Sequence, residues 1–254
     1  MTEFQKPNLL IVVPCFNVQS RLDLAYWKKI ILSNPSAKFI FVDDGSTDNT
    51  LEKIRDIGQE SNVISLKKNS GKSEAIRQGW LQFVHESPWA GCGFIDSDGA
   101  FSSDDIQKLI DIFKNQINSG SKVDVILSSR VALAGRKIER SRTRHYLGRI
   151  VSTYLCYKWP NSPYDTQSGF KIFINTEYFT KSIQEPFKTR WFFDIELLVR
   201  LKSFKQNELI IWEEPLMSWK EIANSKISGL EFLRIAGEIL RIKSMLKNSL
   251  KSFI

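Results

Sequence analysis

Short, continuously apolar runs alternate with amphipathic stretches along the first half of the chain. The clearest runs are Leu9–Val13 and Phe39–Val42, and others lie at Val63–Leu66, Cys92–Ile95 and Val123–Leu127. A run that is apolar at every position is typical of a strand covered on both faces of a sheet. We therefore predict a strand at each of these runs.

The stretches between the runs carry helix-start signals. Ser46 or Thr47 can cap a helix that continues to about Gln59, another helix is predicted to follow Lys72, and Ser102 and Ser103 with Asp105 can open a helix that ends near Asn118. Strands that alternate with helices favour an α/β fold with a mostly parallel, Rossmann-like central sheet and helices on both faces.

The second half of the chain is less regular and richer in aromatic residues. Its last part, 229–250, is predicted to form an amphipathic helix, because apolar residues recur there at helical spacing. These residues are Phe232, Ile235, Ala236, Ile239, Ile242 and Leu246. No repeat or linker divides the chain, so we expect one domain over 1–254.

Composition narrows the possible classes of protein and of binding partner. The chain of 254 residues has a formal charge of +8 and a strongly basic stretch at Arg130–Arg149, which favours polyanionic or phosphorylated partners, although a solvated surface helix would also explain it. Its three cysteines are widely spaced, which excludes a disulfide framework and a zinc site. A signal-peptide pattern is missing and the apolar runs are too short to cross a bilayer, so we expect a cytoplasmic protein.

Polar clusters follow several of the predicted strands directly. They are Pro14–Asn17, Asp43–Ser46 and Asp96–Gly99. Ligands of parallel α/β sheets bind beyond the carboxyl ends of the strands, so these clusters are expected to share one crevice.

The acids of this crevice suit a divalent ion and a nucleotide. Asp96 and Asp98 offer the hard oxygen ligands that Mg²⁺ and Mn²⁺ prefer, and such an ion offsets the charge on a departing diphosphate. Asp43 and Asp44 can accept hydrogen bonds from a base and a ribose, although a strand-to-helix turn capped by Ser46 or Asp48 is an alternative. Lys72, at a predicted helix N-terminus, can face the diphosphate.

The ordered set of motifs resembles family 2 glycosyltransferases, which have a GT-A fold. The motifs are Val12–Asn17, Phe41–Asp48, Asn69–Lys72, Asp96–Gly99, Ser128–Arg130, Asp165–Lys171 and Arg190–Leu198. Together they resemble the branch that moves a sugar onto a polyprenyl phosphate, and Trp219–Lys226 is most similar to dolichyl-phosphate β-glucosyltransferases.

The resemblance implies a hexosyltransferase that inverts the anomeric centre of a UDP-sugar, with glucose favoured. It divides the chain into a nucleotide-sugar half at 8–128, an acceptor half at 129–228 and the C-terminal helix. The implied donor-binding residues are Pro14, Asn17, Asp43, Asp44, Lys72, Asp96 and Ser97. The implied metal ligands are Asp96, Asp98 and Gln167, with Asp98 the main one and therefore catalytic.

On the acceptor side, the resemblance implies that Arg130, with Arg142 or Arg144, holds the phosphate of a polyprenyl phosphate at the cytoplasmic face of a membrane. A phosphate monoester with a second pKa of about 6 is largely ionised at neutral pH and needs no strong base. The alternative is a hydroxyl acceptor in cell-surface polysaccharide synthesis. It would need a carboxylate base, for which Asp194 and Asp165 are the candidates.

Nucleic acid is not expected as a partner. Modules that bind single-stranded RNA or DNA present aromatic side chains among basic ones on an exposed face. The aromatic residues of this chain lie mostly in apolar runs.

Overall fold

A seven-stranded sheet organises the structure, a computed structural model that describes residues 8–57, 62–85, 89–140, 149, 152–153, 155–159, 161–222 and 237–245. The strands of this sheet are β1 (Leu9–Cys15), β2 (Ala37–Asp43), β3 (Val63–Ser65), β4 (Gly91–Ile95), β5 (Val125–Ser129), β7 (Phe170–Ile174) and β8 (Ile211–Pro215). A separate parallel pair consists of β6 (Lys137–Glu139) and β9 (Ser218–Lys220). The helices are α1 (Leu24–Ser33), α2 (Thr50–Ile57), α3 (Lys72–Phe83), α4 (Ser103–Asn118), α5 (Glu177–Gln184) and α6 (Phe193–Lys205).

The strand order is β3-β2-β1-β4-β7-β5-β8, and β7 alone runs antiparallel to its neighbours in this sheet. The prediction of a mostly parallel α/β sheet is therefore confirmed. The antiparallel β7 is inserted between β4 and β5, which places the motif that precedes it beside the end of β4. Strands from the second half of the chain thus belong to the same sheet as those of the first.

The two faces of the sheet support two separate hydrophobic clusters. Successive strand residues point to opposite faces, so Ile11 and Val13 pack on one side while Leu10 and Val12 pack on the other. Helices α1, α2 and α4 cover the first face, and α3, α5 and α6 cover the second. Burial of both faces explains why β1 and β4, in the middle of the sheet, carry no polar side chain other than a cysteine.

Two predicted helix starts have different outcomes. Helix α4 begins as expected, because the Ser102 hydroxyl accepts the Asp105 N–H at the N-cap. The prediction that Ser46 or Thr47 caps α2 is wrong, since this helix begins at Thr50. Asp48 lies beside that start and accepts the Thr50 N–H at 3.0 Å, while the Ser46 hydroxyl accepts the N–H of Asn17 instead.

The basic stretch is not one surface helix in the described region. Residues 130–136 form a loop and Lys137–Glu139 form β6, whereas 141–148, which contain Arg142 and Arg144, lie outside the described residues.

Part of the predicted C-terminal helix is described, and residues 237–245 are helical. Ile242 is buried with Leu155, Phe192, Ile195 and Val199, and Ile239 and Met245 pack against the same cluster. The apolar side of this stretch therefore contacts the protein itself. In the parts of the chain that are described, no helix is long and apolar enough to cross a membrane.

Candidate active site

A cleft of about 360 Å³, which we call the main cleft, opens at the carboxyl ends of β1, β2 and β4. These strands are parallel neighbours, so the loops that follow them meet at one edge of the sheet. The cleft is lined by Pro14, Cys15, Phe16, Val18, Arg21, Asp44, Asn69, Gly71, Lys72, Asp96, Ser97, Asp98 and Arg190.

Two carboxylates and a lysine form the charged centre of this cleft. Asp96 and Asp98 follow the end of β4, and Lys72 opens α3 on the opposite side. The Lys72 Nζ lies 2.5 Å from Asp96 Oδ1, and 41% and 32% of the two side chains are exposed. Asp98 Oδ1 accepts the Ala100 N–H at 3.1 Å, which fixes its side chain against the turn.

The electrostatics of this centre favour a bound cation. Burial and the neighbouring charge of Asp96 raise the pKa of Asp98. Burial lowers the pKa of Lys72, but the carboxylates of Asp96, Asp194 and Asp98 outweigh that effect and raise it above its usual value. Two adjacent acids that repel each other are stabilised by any positive charge between them.

A divalent ion fits the oxygen donors of Asp96 and Asp98. Among the described residues, no group of three or more His, Cys, Asp and Glu side chains converges on one point. Mg²⁺ commonly takes one or two carboxylates and fills its other positions with water and substrate phosphates, so these two residues could hold it, and their role as metal ligands stays a prediction.

Asp43 is the last residue of β2 and Asp44 follows it, and the two acids have separate partners. Asp43 accepts the Ser46 N–H at 3.3 Å, and Asp44 accepts the N–H groups of Ser70 and Gly71 at 2.8 and 2.7 Å. Asp44 therefore holds the loop that leads into α3 and also lines the cleft. Asp43 is buried outside the cleft lining, and its contact with the base stays a prediction.

The remaining predicted donor residues lie around the same edge. Pro14 and Ser97 line the cleft. Asn17 connects two loops instead, because its N–H donates to the Ser46 hydroxyl and its Oδ1 accepts the Thr47 N–H at 2.9 Å.

The segment before β7 packs directly against Asp96. The Asp96 N–H donates to the Gly169 carbonyl at 2.9 Å, and a Cβ at Gly169 would lie 2.2 Å from Asp96 Oδ2. Only glycine leaves room for the carboxylate in this position. The Asp165–Lys171 motif thus sets the position of a cleft carboxylate.

A second, smaller site lies at the other end of this segment. We call it the arginine pocket; it is lined by Arg130, Arg140, Arg149, Ser152, Tyr164, Asp165, Thr166 and Gln167. Arg130 forms a two-pronged ion pair with Asp165, both bonds being 2.7 Å long. Although burial alone would raise it, the pKa of Asp165 is lowered to about 2 by this pairing.

The arginine pocket carries excess positive charge and is electrostatically linked to the main cleft. Its lining residues include three arginines and one acid, Asp165, and the guanidinium of Arg149 stacks on the Tyr164 ring at 4.1 Å. The charges of Asp96 and Asp194 help to raise the pKa of Arg130, against the opposing effect of burial. Gln167 lines this pocket rather than the main cleft, and its role as a metal ligand stays a prediction.

Asp194, a predicted catalytic residue, lies in the first turn of α6 and is almost fully buried. Its Oδ1 accepts a hydrogen bond from the Lys171 Nζ at 2.8 Å, and Lys171 is completely buried in β7. The sequence motifs that contain these two residues are therefore joined by a buried ion pair beneath the cleft.

Comparison with known proteins decides the family. Residues 10–181 match the model of the glycosyl transferase family 2. The chain belongs to glycosyl transferase family 2. As a member of this family it is a hexosyltransferase.

Relatives of this glycosyltransferase match along most of its length. It is 30% identical to a dolichyl-phosphate beta-glucosyltransferase of Saccharomyces cerevisiae, over 92% of this chain and 74% of that protein. It is 31% identical to a dolichyl-phosphate beta-glucosyltransferase of Homo sapiens, over 93% of this chain and 75% of that protein.

Among solved structures, the glycosyltransferase resembles glucosyl-3-phosphoglycerate synthase from Mycobacterium tuberculosis in complex with Mn²⁺ and UDP-glucose. The TM-score is 0.67 with 17% identity, and the match covers 93% of this chain and 79% of that chain. This likeness confirms the GT-A fold.

Several residues of this glycosyltransferase's sites were not singled out from the sequence. Arg21 and Arg190 line the main cleft, and Arg140 and Arg149 line the arginine pocket. Arg140 and Arg149 belong to the basic stretch Arg130–Arg149, from which an anion-binding site could have been predicted. Arg21 carries no comparable signal, because it is a lone cation in a polar loop.

Proposed function

We propose that this glycosyltransferase moves glucose from UDP-glucose to the phosphate of a polyprenyl phosphate, with inversion at the anomeric carbon. Two relatives that match over more than nine-tenths of this chain are both named as dolichyl-phosphate beta-glucosyltransferases. A nucleotide-sugar donor is also supported by the solved structure with Mn²⁺ and UDP-glucose, which shares the fold.

The observation that carries the proposal is the arginine pocket beside the main cleft. Two anions must meet in this reaction, and the molecule has one site of acids and cations and a second dominated by arginine. The segment Asp165–Gly169 links the two, since Asp165 pairs with Arg130 and Gly169 contacts Asp96. Arginine is well suited to a phosphate because its planar guanidinium can form two parallel hydrogen bonds.

The ion pairs at the site also favour a phosphate over a hydroxyl acceptor. A hydroxyl would need a carboxylate base with a pKa near the working pH. Asp165 has a pKa of about 2, and Asp194 is held by Lys171. Neither of the candidate bases is therefore suited to remove a proton, whereas a phosphate monoester is already ionised.

In the proposed reaction, a phosphate oxygen attacks the anomeric carbon while the bond between that carbon and UDP breaks. Lys72, which lies in the main cleft, would contact the diphosphate, and Asp96 and Asp98 would hold a Mg²⁺ or Mn²⁺ ion. Such an ion neutralises negative charge on the leaving diphosphate. The remaining work of the protein is alignment of the two anions.

Product analysis tests this function. The protein is incubated with Mn²⁺, UDP-glucose and a short prenyl phosphate, and the products are analysed by mass spectrometry for identity and by NMR for anomeric configuration. We expect the glucosyl-phosphoprenol, with the β configuration that inversion of an α-linked donor gives. Transfer to a hydroxyl compound with none to the prenyl phosphate would replace the proposal by the polysaccharide alternative.

A further inference from the structure

Arg190 is a cation of the main cleft, and its side chain is exposed. Its guanidinium lies against Gly71, where an added Cβ would be 2.8 Å from the Arg190 Nη2. Its charge acts on the carboxylate of Asp44 across the cleft. Among the described residues, this guanidinium forms no hydrogen bond or salt bridge, in contrast to that of Arg130.

The backbone beneath Arg190 is held by one side chain of the C-terminal helical stretch. The carboxylate of Glu238 accepts the N–H groups of Arg190, Trp191 and Phe192 at 3.1, 2.9 and 3.2 Å. These are three successive donors just before α6, whose N-cap Phe192 provides no side-chain cap of its own. A carboxylate that accepts several N–H groups at such a position gives both hydrogen bonds and a favourable charge interaction with the helix.

The same helical stretch is attached to the protein at two further points. Arg241 donates to the Lys188 carbonyl at 2.9 Å, and Ile242 is buried against Phe192 and Ile195. The loop that carries Arg190 is therefore held between α6 and the C-terminal helical stretch. A stretch distant in sequence thus holds the backbone that carries one cleft cation.

We propose that Arg190 binds the diphosphate of the nucleotide donor and that Glu238 is the residue that positions it. This inference rests on the proposed function for the identity of the donor. Arg190 and Lys72 line the same cleft as Asp96 and Asp98, so a diphosphate there would face two cations, while the two carboxylates would face its metal ion. A guanidinium with no carboxylate partner retains its donors for that ligand.

The test measures the affinity for UDP and for uridine by calorimetry in the presence of Mn²⁺. Arg190→Ala should weaken UDP binding about tenfold, because a charge-assisted hydrogen bond is lost, and should change uridine binding less than about twofold. Lys188→Ala is the matched control, since it removes an exposed cation from the same loop outside the cleft. Equal UDP affinities of these two variants would overturn the role of Arg190.

Glu238→Ala tests the positioning role. It should weaken UDP binding about fivefold, and the double variant with Arg190→Ala should bind no more weakly than Arg190→Ala alone, because Glu238 acts through Arg190. An additional loss in the double variant would overturn that role. Glu238→Gln, which keeps the shape and removes the charge, replaces Glu238→Ala if the latter does not fold.

Failure of the underlying function would look different. Wild-type protein that binds no UDP at all would refute the donor assignment itself. If the wild type binds UDP and Arg190→Ala binds it with the same affinity, only the role of Arg190 is refuted.

Discussion

The main cleft and the arginine pocket both contain an ion pair, but the two pairs differ in how firmly they are held. In the cleft, Lys72 and Asp96 are 41% and 32% exposed and share one short contact. In the pocket, Arg130 and Asp165 are 11% and 7% exposed and are joined by two hydrogen bonds. An exposed pair contributes little to stability and can exchange partners, whereas breaking a buried pair is costly. The cleft is therefore suited to a charged ligand that replaces one partner of the Lys72–Asp96 pair. The pocket is suited to a ligand that binds without breaking the Arg130–Asp165 pair.

Removing the charge of Asp98 should have the largest effect on the donor side. Asp98→Asn loses a carboxylate ligand, and we expect kcat to fall about 1000-fold, the scale of losing a main electrostatic contact to the leaving group. Mn²⁺-dependent stabilisation by UDP should disappear in a thermal-shift assay. Asp104→Asn, which removes an exposed acid at the start of α4, should retain both. Metal dependence that survives in Asp98→Asn would contradict the metal assignment.

The buried pair of the pocket should matter most for stability. Asp165→Asn leaves Arg130 buried without its partner, and we expect a loss of about 3–5 kcal/mol in the free energy of unfolding. Chemical denaturation at neutral pH measures this. A loss below about 1 kcal/mol would show that the pair behaves like an exposed one.

Asp165→Asn should also make the free energy of unfolding less sensitive to acid. The pKa of Asp165 is about 2 in the folded protein, below its unfolded value of about 3.9, so its stabilising contribution is present above about pH 4 and is lost as pH falls towards 2. The difference corresponds to about 2–3 kcal/mol. Wild-type protein should lose that much more stability than Asp165→Asn over this range of pH.

Gly169→Ala tests how the main cleft depends on the segment Asp165–Gly169, which contacts both the cleft and the arginine pocket. The added Cβ would lie 2.2 Å from Asp96 Oδ2, so the carboxylate must move. We expect about a 100-fold loss in kcat/KM for the donor, which is the scale reported for small misplacements of catalytic groups. Circular dichroism should show an intact fold. Activity within about twofold of the wild type would mean that the position of Asp96 is not critical.

Arg149→Ala should have the smallest effect and the most selective one. Removing one of the three pocket arginines should raise KM for the prenyl phosphate about tenfold and leave the affinity for UDP unchanged. Lys137→Ala removes an exposed cation of β6 and should change neither quantity. An effect on UDP binding equal to that on the acceptor would remove the distinction between the two sites.

Local patterns were sufficient to predict that the acids of the main cleft lie together. Continuous apolar runs identified the strands around it, and parallel neighbours necessarily bring their carboxyl ends together, which placed Asp96, Asp98 and Asp44 in one cleft. Adjacent acids after a strand were also a local signal. Their different partners, Ser46 for Asp43 and Gly71 for Asp44, depend on how the loops fold and could not be predicted.

The acceptor side depends on contacts between residues far apart in sequence. Pairing of Arg130 with Asp165 spans 35 positions and that of Lys171 with Asp194 spans 23, and both follow from the antiparallel insertion of β7. The hydrophobic periodicity and the composition of the sequence do not indicate that β7 pairs between β4 and β5. The arrangement of Arg190 and Glu238 is another such case, because 48 positions separate them.

A crystal structure with UDP, Mn²⁺ and a short prenyl phosphate would test the division into two sites most directly. We predict the diphosphate in the main cleft near Asp96, Asp98 and Lys72, and the prenyl phosphate within hydrogen-bonding distance of Arg130 or Arg149. Finding the prenyl phosphate bound away from the arginine pocket, with that pocket empty, would contradict the account.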